Sequence, residues 1–128
     1  MKPHPAFASI EFSSVPAGLF AADALLKKSP IGLIRTGTIG GGKFLILLAG
    51  STASVAEAHE EALFHGGLQV ADDAFLPDIH PTLYDALLGN VRQMGEGPLW
   101  ILETPTVSCN IQAIERAMKG VPVELIEF

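Results

Sequence analysis

Apolar and polar residues follow two rhythms along this chain, and the switches between them mark out its elements. Phe7–Phe12 reads as a strand. Val15, Leu19, Ala22 and Leu26 recur at i, i+4, i+7 and i+11, the spacing of one helix face, and predict an amphipathic helix over Val15–Lys28. Ser13 or Ser14 supplies its N-cap and Pro30 stops it. Ile31–Thr36 is a second strand, Gly37–Gly42 a turn, and Lys43–Ala49 a nearly unbroken apolar run of the kind covered on both faces. A second helix runs from about Ser54 to Phe64, with Gly66-Gly67 as its stop. Leu68–Phe75 is a fourth strand, Pro77–Pro81 a turn and Pro81–Leu88 a short third helix. The order β-α-β-β-α-β is that of an α+β, ferredoxin-like split βαβ unit.

The same pattern then begins again. Laid over each other without a gap at an offset of 92, residues 10–36 and 102–128 pair Glu11 with Glu103, Val15 with Val107, Ala21 with Ala113 and Lys27 with Lys119. Pro30, Leu33 and Ile34 fall on Pro122, Leu125 and Ile126. The helix stripe recurs as Val107, Ile111, Ile114 and Met118. Repetition of this kind signals a duplicated structural unit. The chain divides into residues 1–90 as one unit, 91–98 as a polar, glycine-bearing linker, and 99–128 as a partial second βαβ repeat. Its strands are expected at Leu99–Glu103 and Val121–Phe128, around a helix at Thr106–Lys119. The copy reads as a unit cut off halfway, since Phe128 stands opposite Thr36, ahead of any second glycine turn. Two strands and one helix cannot bury their own apolar surface, and open strand edges invite pairing. Leu99, Trp100, Ile101, Val123, Leu125 and Ile126 are therefore expected to pair with another chain in an intertwined oligomer.

Composition narrows the function. Of 128 residues, 48% are apolar and 17% charged, with a mean hydropathy of +0.37. So much apolar surface in a short chain implies a sheet covered on both faces or contacts between subunits. No apolar run reaches the 18 or so residues that span a bilayer, and Met1–Ser9 has no long apolar stretch of a secretory signal, which points to the cytoplasm and away from membranes. A formal charge of −6, from 8 basic and 14 acidic side chains without a basic cluster, argues against nucleic acid as a partner. The single cysteine, Cys109, rules out an intrachain disulfide and a multi-cysteine zinc site.

Gly37–Lys43 satisfies G-x-x-x-x-G-K, but Phe44 follows where a phosphate-binding loop needs Ser or Thr. The turn also leads into a strand, where an anion site of that type needs a helix N-terminus. It reads instead as a tight β-β connection.

Taken together, Glu11, Ala21-Ala22-Asp23-Ala24-Leu25-Leu26-Lys27, Ile39-Gly40-Gly41-Gly42-Lys43 and Ala49-Gly50 resemble the bacterial microcompartment (BMC) shell domain. Leu76–Pro81 and Ala86–Gly89 resemble the end of the first domain of tandem-domain shell proteins of the propanediol-utilisation type, and the segment from Trp100 the opening of their second domain. The resemblance implies flat hexamers, or trimers that imitate them, tiling into a shell together with other shell proteins. It places Thr38, Ile39, Gly40, Gly41 and Gly42 around a central pore for small metabolites and Lys27 at the tile edge. Three departures stand out: Ser51 follows Gly50 where the family often has Asp, the second unit has no pore loop, and half a domain cannot complete a pseudohexamer.

No catalytic constellation is present, and no cofactor is implied. His4, His59, His65 and His80 show no i, i+4 pair, which speaks against a metal site. Glu60 and Glu61 read as a solvated face, Cys109 as a small buried residue, and Tyr84 and Trp100 as packing aromatics. Lys27 alone would read equally well as a solvated charge. A structural, self-assembling shell protein is the leading reading. The alternative is a ferredoxin-like oligomeric sensor binding a small molecule between subunits.

Overall fold

The computed structural model describes residues 6–128, with Leu33 described by its backbone alone. The elements are β1 (Ala6–Phe12), α1 (Val15–Lys28), β2 (Gly32–Ile39), β3 (Lys43–Gly50), α2 (Thr52–Gly66), β4 (Val70–Leu76), α3 (Pro81–Leu87) and α4 (Val107–Gly120), with one 3₁₀ turn at Gly67–Gln69. The four strands form one antiparallel sheet in the order β2-β3-β1-β4, the split βαβ arrangement expected from the element order.

The two central strands, β1 and β3, are buried on both faces, apart from the partly covered Lys43. Ile10 lies opposite Ile46, Ala8 opposite Leu48 and Phe7 opposite Ala49. Period-two alternation sorts these residues into two cores. Ala8, Ile10, Phe12, Phe44, Ile46 and Leu48 face α1 and α2, which contribute Ala21, Leu25, Val55, Ala58 and Ala62. Phe7, Leu45, Leu47 and Ala49 face the other way, onto Ile79, Leu83 of α3 and Ile111 of α4.

Helix α1 starts at the Ser14 N-cap, whose side chain accepts from the Ala17 N–H, and ends one residue before Pro30 at Ser29. It lies close to β3 because position 18 is glycine: a Cβ there would sit 2.3 Å from the Phe44 ring. The sequence stripe is only half buried in α1. Val15 and Ala22 pack inward, but Gly18, Ala21 and Leu25 take the remaining sheet contacts, leaving Leu19 and Leu26 exposed. In α4 the corresponding stripe is turned to the sheet, with Ile111 fully buried and Val107, Ile114 and Met118 packed around it.

The second unit departs from expectation. Neither Leu99–Glu103 nor Val121–Phe128 forms a strand ladder within the chain. Helix α4 carries these segments across the face of the sheet, away from its edges. One backbone bond, from Arg92 N to Ile126 O at 2.9 Å, ties the end of the segment back. The β2–β3 turn is also tighter than expected: Gly37, Thr38 and Ile39 continue the ladder opposite Leu45, Phe44 and Lys43.

Candidate functional site

Face alternation on β1 places Ser9 and Glu11 in the second core, where a carboxylate is costly unless fully partnered. Its partner is the N-terminus of α4. Glu11 accepts from the Val107 N–H at 3.1 Å and the Ser108 N–H at 2.9 Å, so a negative charge meets the unpaired amides and positive end of a helix. Ser9 Oγ and Ser108 Oγ lie 2.7 Å apart in a buried contact. Thr106 caps α4 through the Cys109 N–H and donates to Asp72 on β4. One turn before its C-terminus, α4 contributes the buried Glu115, which accepts from the His80 N–H at the start of α3 and pairs with Lys119 at 2.5 Å. Lys119 also donates to the Asp78 carbonyl. The repeated helix is thus bolted to the first unit by polar contacts at both ends and apolar packing between them.

Sequence reasoning did not find this role for Glu11 and Glu115. The signal was available for Glu11, which sits in strand alternation on the inward face of a central strand.

The glycine turn is exposed at Gly40, Gly41 and Gly42, and added Cβ atoms there would meet no other atom within 4 Å. Gly41 and Gly42 adopt φ of 77° and 75°, a region favouring glycine. Ile39, Gly40 and Lys43 line an open groove of about 340 Å³ whose far wall is Leu102, Glu103 and Thr104. The two sequence-singled features, turn and second unit, therefore meet.

On α1 the side chain of Lys27 is 74% exposed and pairs with Asp23 at 2.7 Å. Leu19 and Phe20 beside it are 56% and 59% exposed, and the Phe20 ring meets His65 edge-on. In the C-terminal segment Leu99 is 58% and Ile101 81% exposed. Trp100 is exposed as well, which corrects its assignment to packing within the chain. Val123 is exposed, whereas Leu125 packs on the second core and Ile126 is half-buried. Cys109 is also exposed, against expectation, because α4 docks through the neighbouring Ser108 and Ile111 positions.

His59 pairs with Asp73 at 2.7 Å and stacks on Phe75, His65 pairs with Glu61 at 2.9 Å, and His80 caps α3. His4 lies outside the described residues. Among the described residues no three His, Cys, Asp or Glu side chains converge to hold a metal ion, and no helix is long and apolar enough to cross a membrane. Glu60 is exposed, with Glu61 half-buried. Tyr84 packs against the second core, where burial, with Asp85 adding to it, pushes its phenol above the ordinary value.

Residues 6–79 match the protein family described as BMC domain. The chain is 32% identical over 117 residues to the bacterial microcompartment shell protein PduT of Citrobacter freundii, a match that takes in 91% of this chain. It spans 64% of the length of that relative. Among solved structures, a microcompartment protein from Desulfitobacterium hafniense superposes with a TM-score of 0.76 at 26% identity, covering 97% of this chain and 69% of that one.

Proposed function

The chain belongs to the BMC domain family, and on that premise we propose that it is a structural, self-assembling component of a bacterial microcompartment shell in the cytoplasm. The observation that carries this reading is the combination of a BMC-type sheet with exposed apolar surface on α1 and at Leu99–Ile101, in a chain without a catalytic constellation among the described residues. Its partners are other copies of itself and other shell proteins. Residues 99–128, reached through a linker at 91–98, are the opening of a second shell domain.

In this reading Thr38 and Ile39 form the rim and Gly40–Gly42 the lip of a narrow pore lined by main-chain groups, suited to small polar metabolites. Lys27, exposed at the end of α1, is the edge contact between tiles. Leu99, Trp100, Ile101, Val123, Leu125 and Ile126 belong to contacts between chains.

Electron microscopy of the concentrated protein, alone and mixed with other shell proteins, tests the reading. Flat sheets, tubes or closed shells are expected. Protein that never assembles beyond small soluble species in either setting would remove the shell role. In a structure of the assembly, the main chain at Gly40-Gly41 should converge around a symmetry axis, and a turn far from every axis would remove the pore.

A further inference from the structure

Resting on the shell reading, we propose that the first two turns of α1 of one copy dock on Leu99, Ile101 and Glu103 of a second copy, repeating between chains the contact that α4 makes with β1 inside the chain.

The offset of 92 maps the two sides of the internal contact onto two exposed surfaces. On the helix side, Val107, Ser108 and Ile111 of α4 correspond to Val15, Pro16 and Leu19 of α1. On the strand side, Phe7, Ser9 and Glu11 correspond to Leu99, Ile101 and Glu103. Every one of these counterparts is exposed except the half-buried Val15.

The substitutions between the copies are matched across the contact. Phe7 and Ile111 share one apolar cluster, and their counterparts Leu99 and Leu19 are both apolar. The buried Ser9 and Ser108 hydroxyls bond to each other, and their counterparts Ile101 and Pro16 are both apolar. Polar meets polar in one copy and apolar meets apolar in the other, so neither arrangement leaves a buried hydroxyl unpaired. Glu11 accepts first-turn amides of α4, and its counterpart Glu103 meets a helix start where Val15 offers an N–H. Pro16 has none, so this carboxylate takes one amide where Glu11 takes two.

Each helix in the repeat therefore has two working faces. α1 uses Gly18, Ala21 and Leu25 for its own sheet, and α4 uses Ser108, Ile111 and Glu115 for the sheet of the preceding unit. The face left over on α1 is the one that α4 buries. The contact is head-to-tail, with a different patch on each copy, so repetition gives a ring when the rotation closes. It engages the N-terminal half of α1 and leaves Lys27 to the tile edge.

The test is sedimentation velocity on the full chain over a wide concentration range. Ile101→Ser and Pro16→Ser each place a lone hydroxyl against an apolar partner and should raise the dissociation constant roughly tenfold. The double variant recreates the Ser9–Ser108 pair and should recover much of that loss. Both positions are exposed, so thermal melts should match the parent. Leu68→Ser, at a fully exposed position elsewhere, should change nothing. A chain that stays monomeric, or single variants that associate like the parent, or a double variant showing only the sum of two losses, would overturn the docking. Sheets that persist through all these variants would overturn it while leaving the shell role standing. Absence of any assembly would remove the shell role itself.

Discussion

Glu11 and Ser108 stand 97 residues apart in the chain and are joined by a 2.9 Å hydrogen bond from the Ser108 amide to the Glu11 carboxylate. A second bond from Val107 completes a two-pronged grip on the start of α4, inside the second core. The repeated helix is held to the sheet by a charge as well as by grease.

Glu11→Gln keeps the shape of the side chain but removes the charge and turns an N–H₂ group toward amide donors. Hydrogen bonds to charged groups contribute about 1.5–3 kcal/mol each, so a loss of that order is expected. Urea unfolding of the two proteins side by side measures it. Equal midpoints would show that α4 holds its place without the carboxylate.

Gly18→Ala puts a methyl group into space filled by the Phe44 ring. Overpacking of this kind costs about 1–3 kcal/mol. Gly37→Ala, where an added Cβ meets nothing within 4 Å, is the matched control and should cost much less. A calorimetric comparison of the two melting temperatures decides the point.

Tyr84 is the sole tyrosine, so its titration can be followed by phenolate absorbance without assignment. Burial, then Asp85, raises its folded-state pKa above the unfolded value of about 10. A raised pKa means that its contribution to stability is complete below the unfolded value and is lost as pH rises through the folded one. The midpoint should therefore fall to the ordinary value in denaturant. A midpoint unchanged by unfolding would contradict the packing of this ring.

Lys27→Ala removes an exposed charge and its i, i+4 partner contact with Asp23. Such pairs contribute about 0.3–0.5 kcal/mol, so folding should barely change. Sheets seen by electron microscopy should be lost. A parallel fall in melting temperature would place Lys27 in the fold and not at an edge.

The strand and helix order was legible because it rests on local signals: the apolar run of β3, Pro30 after α1, the glycines after α2. Helix faces were harder. Periodicity located an apolar stripe through Val15, Leu19, Ala22 and Leu26, but hydrophobicity ranks Leu19 above Gly18, whereas close approach to Phe44 demands the glycine. A stripe shows that a face is apolar without showing whether it meets its own sheet or a neighbour's. Strands at Leu99–Glu103 and Val121–Phe128 have the right composition, yet ladder formation needs a partner strand, and the chain's own sheet is complete without them. The roles of Glu11 and Glu115 required knowing that α4 lies over β1, a relation across about a hundred residues that no window reveals.

The docking of α4 also sets an order of events during synthesis. The sheet is complete once β4 has emerged at Leu76, but its second face stays bare until α4 is finished at Gly120. At about 5–20 residues per second, those 44 residues take about 2–9 s, long on the scale of collapse and aggregation. Throughout that interval the nascent chain shows Phe7, Leu45, Leu47 and an unpartnered Glu11 on one open surface. A translating ribosome thus presents a half-clad sheet to chaperones and to its neighbours on the same message, and the last helix to appear is the one that closes it.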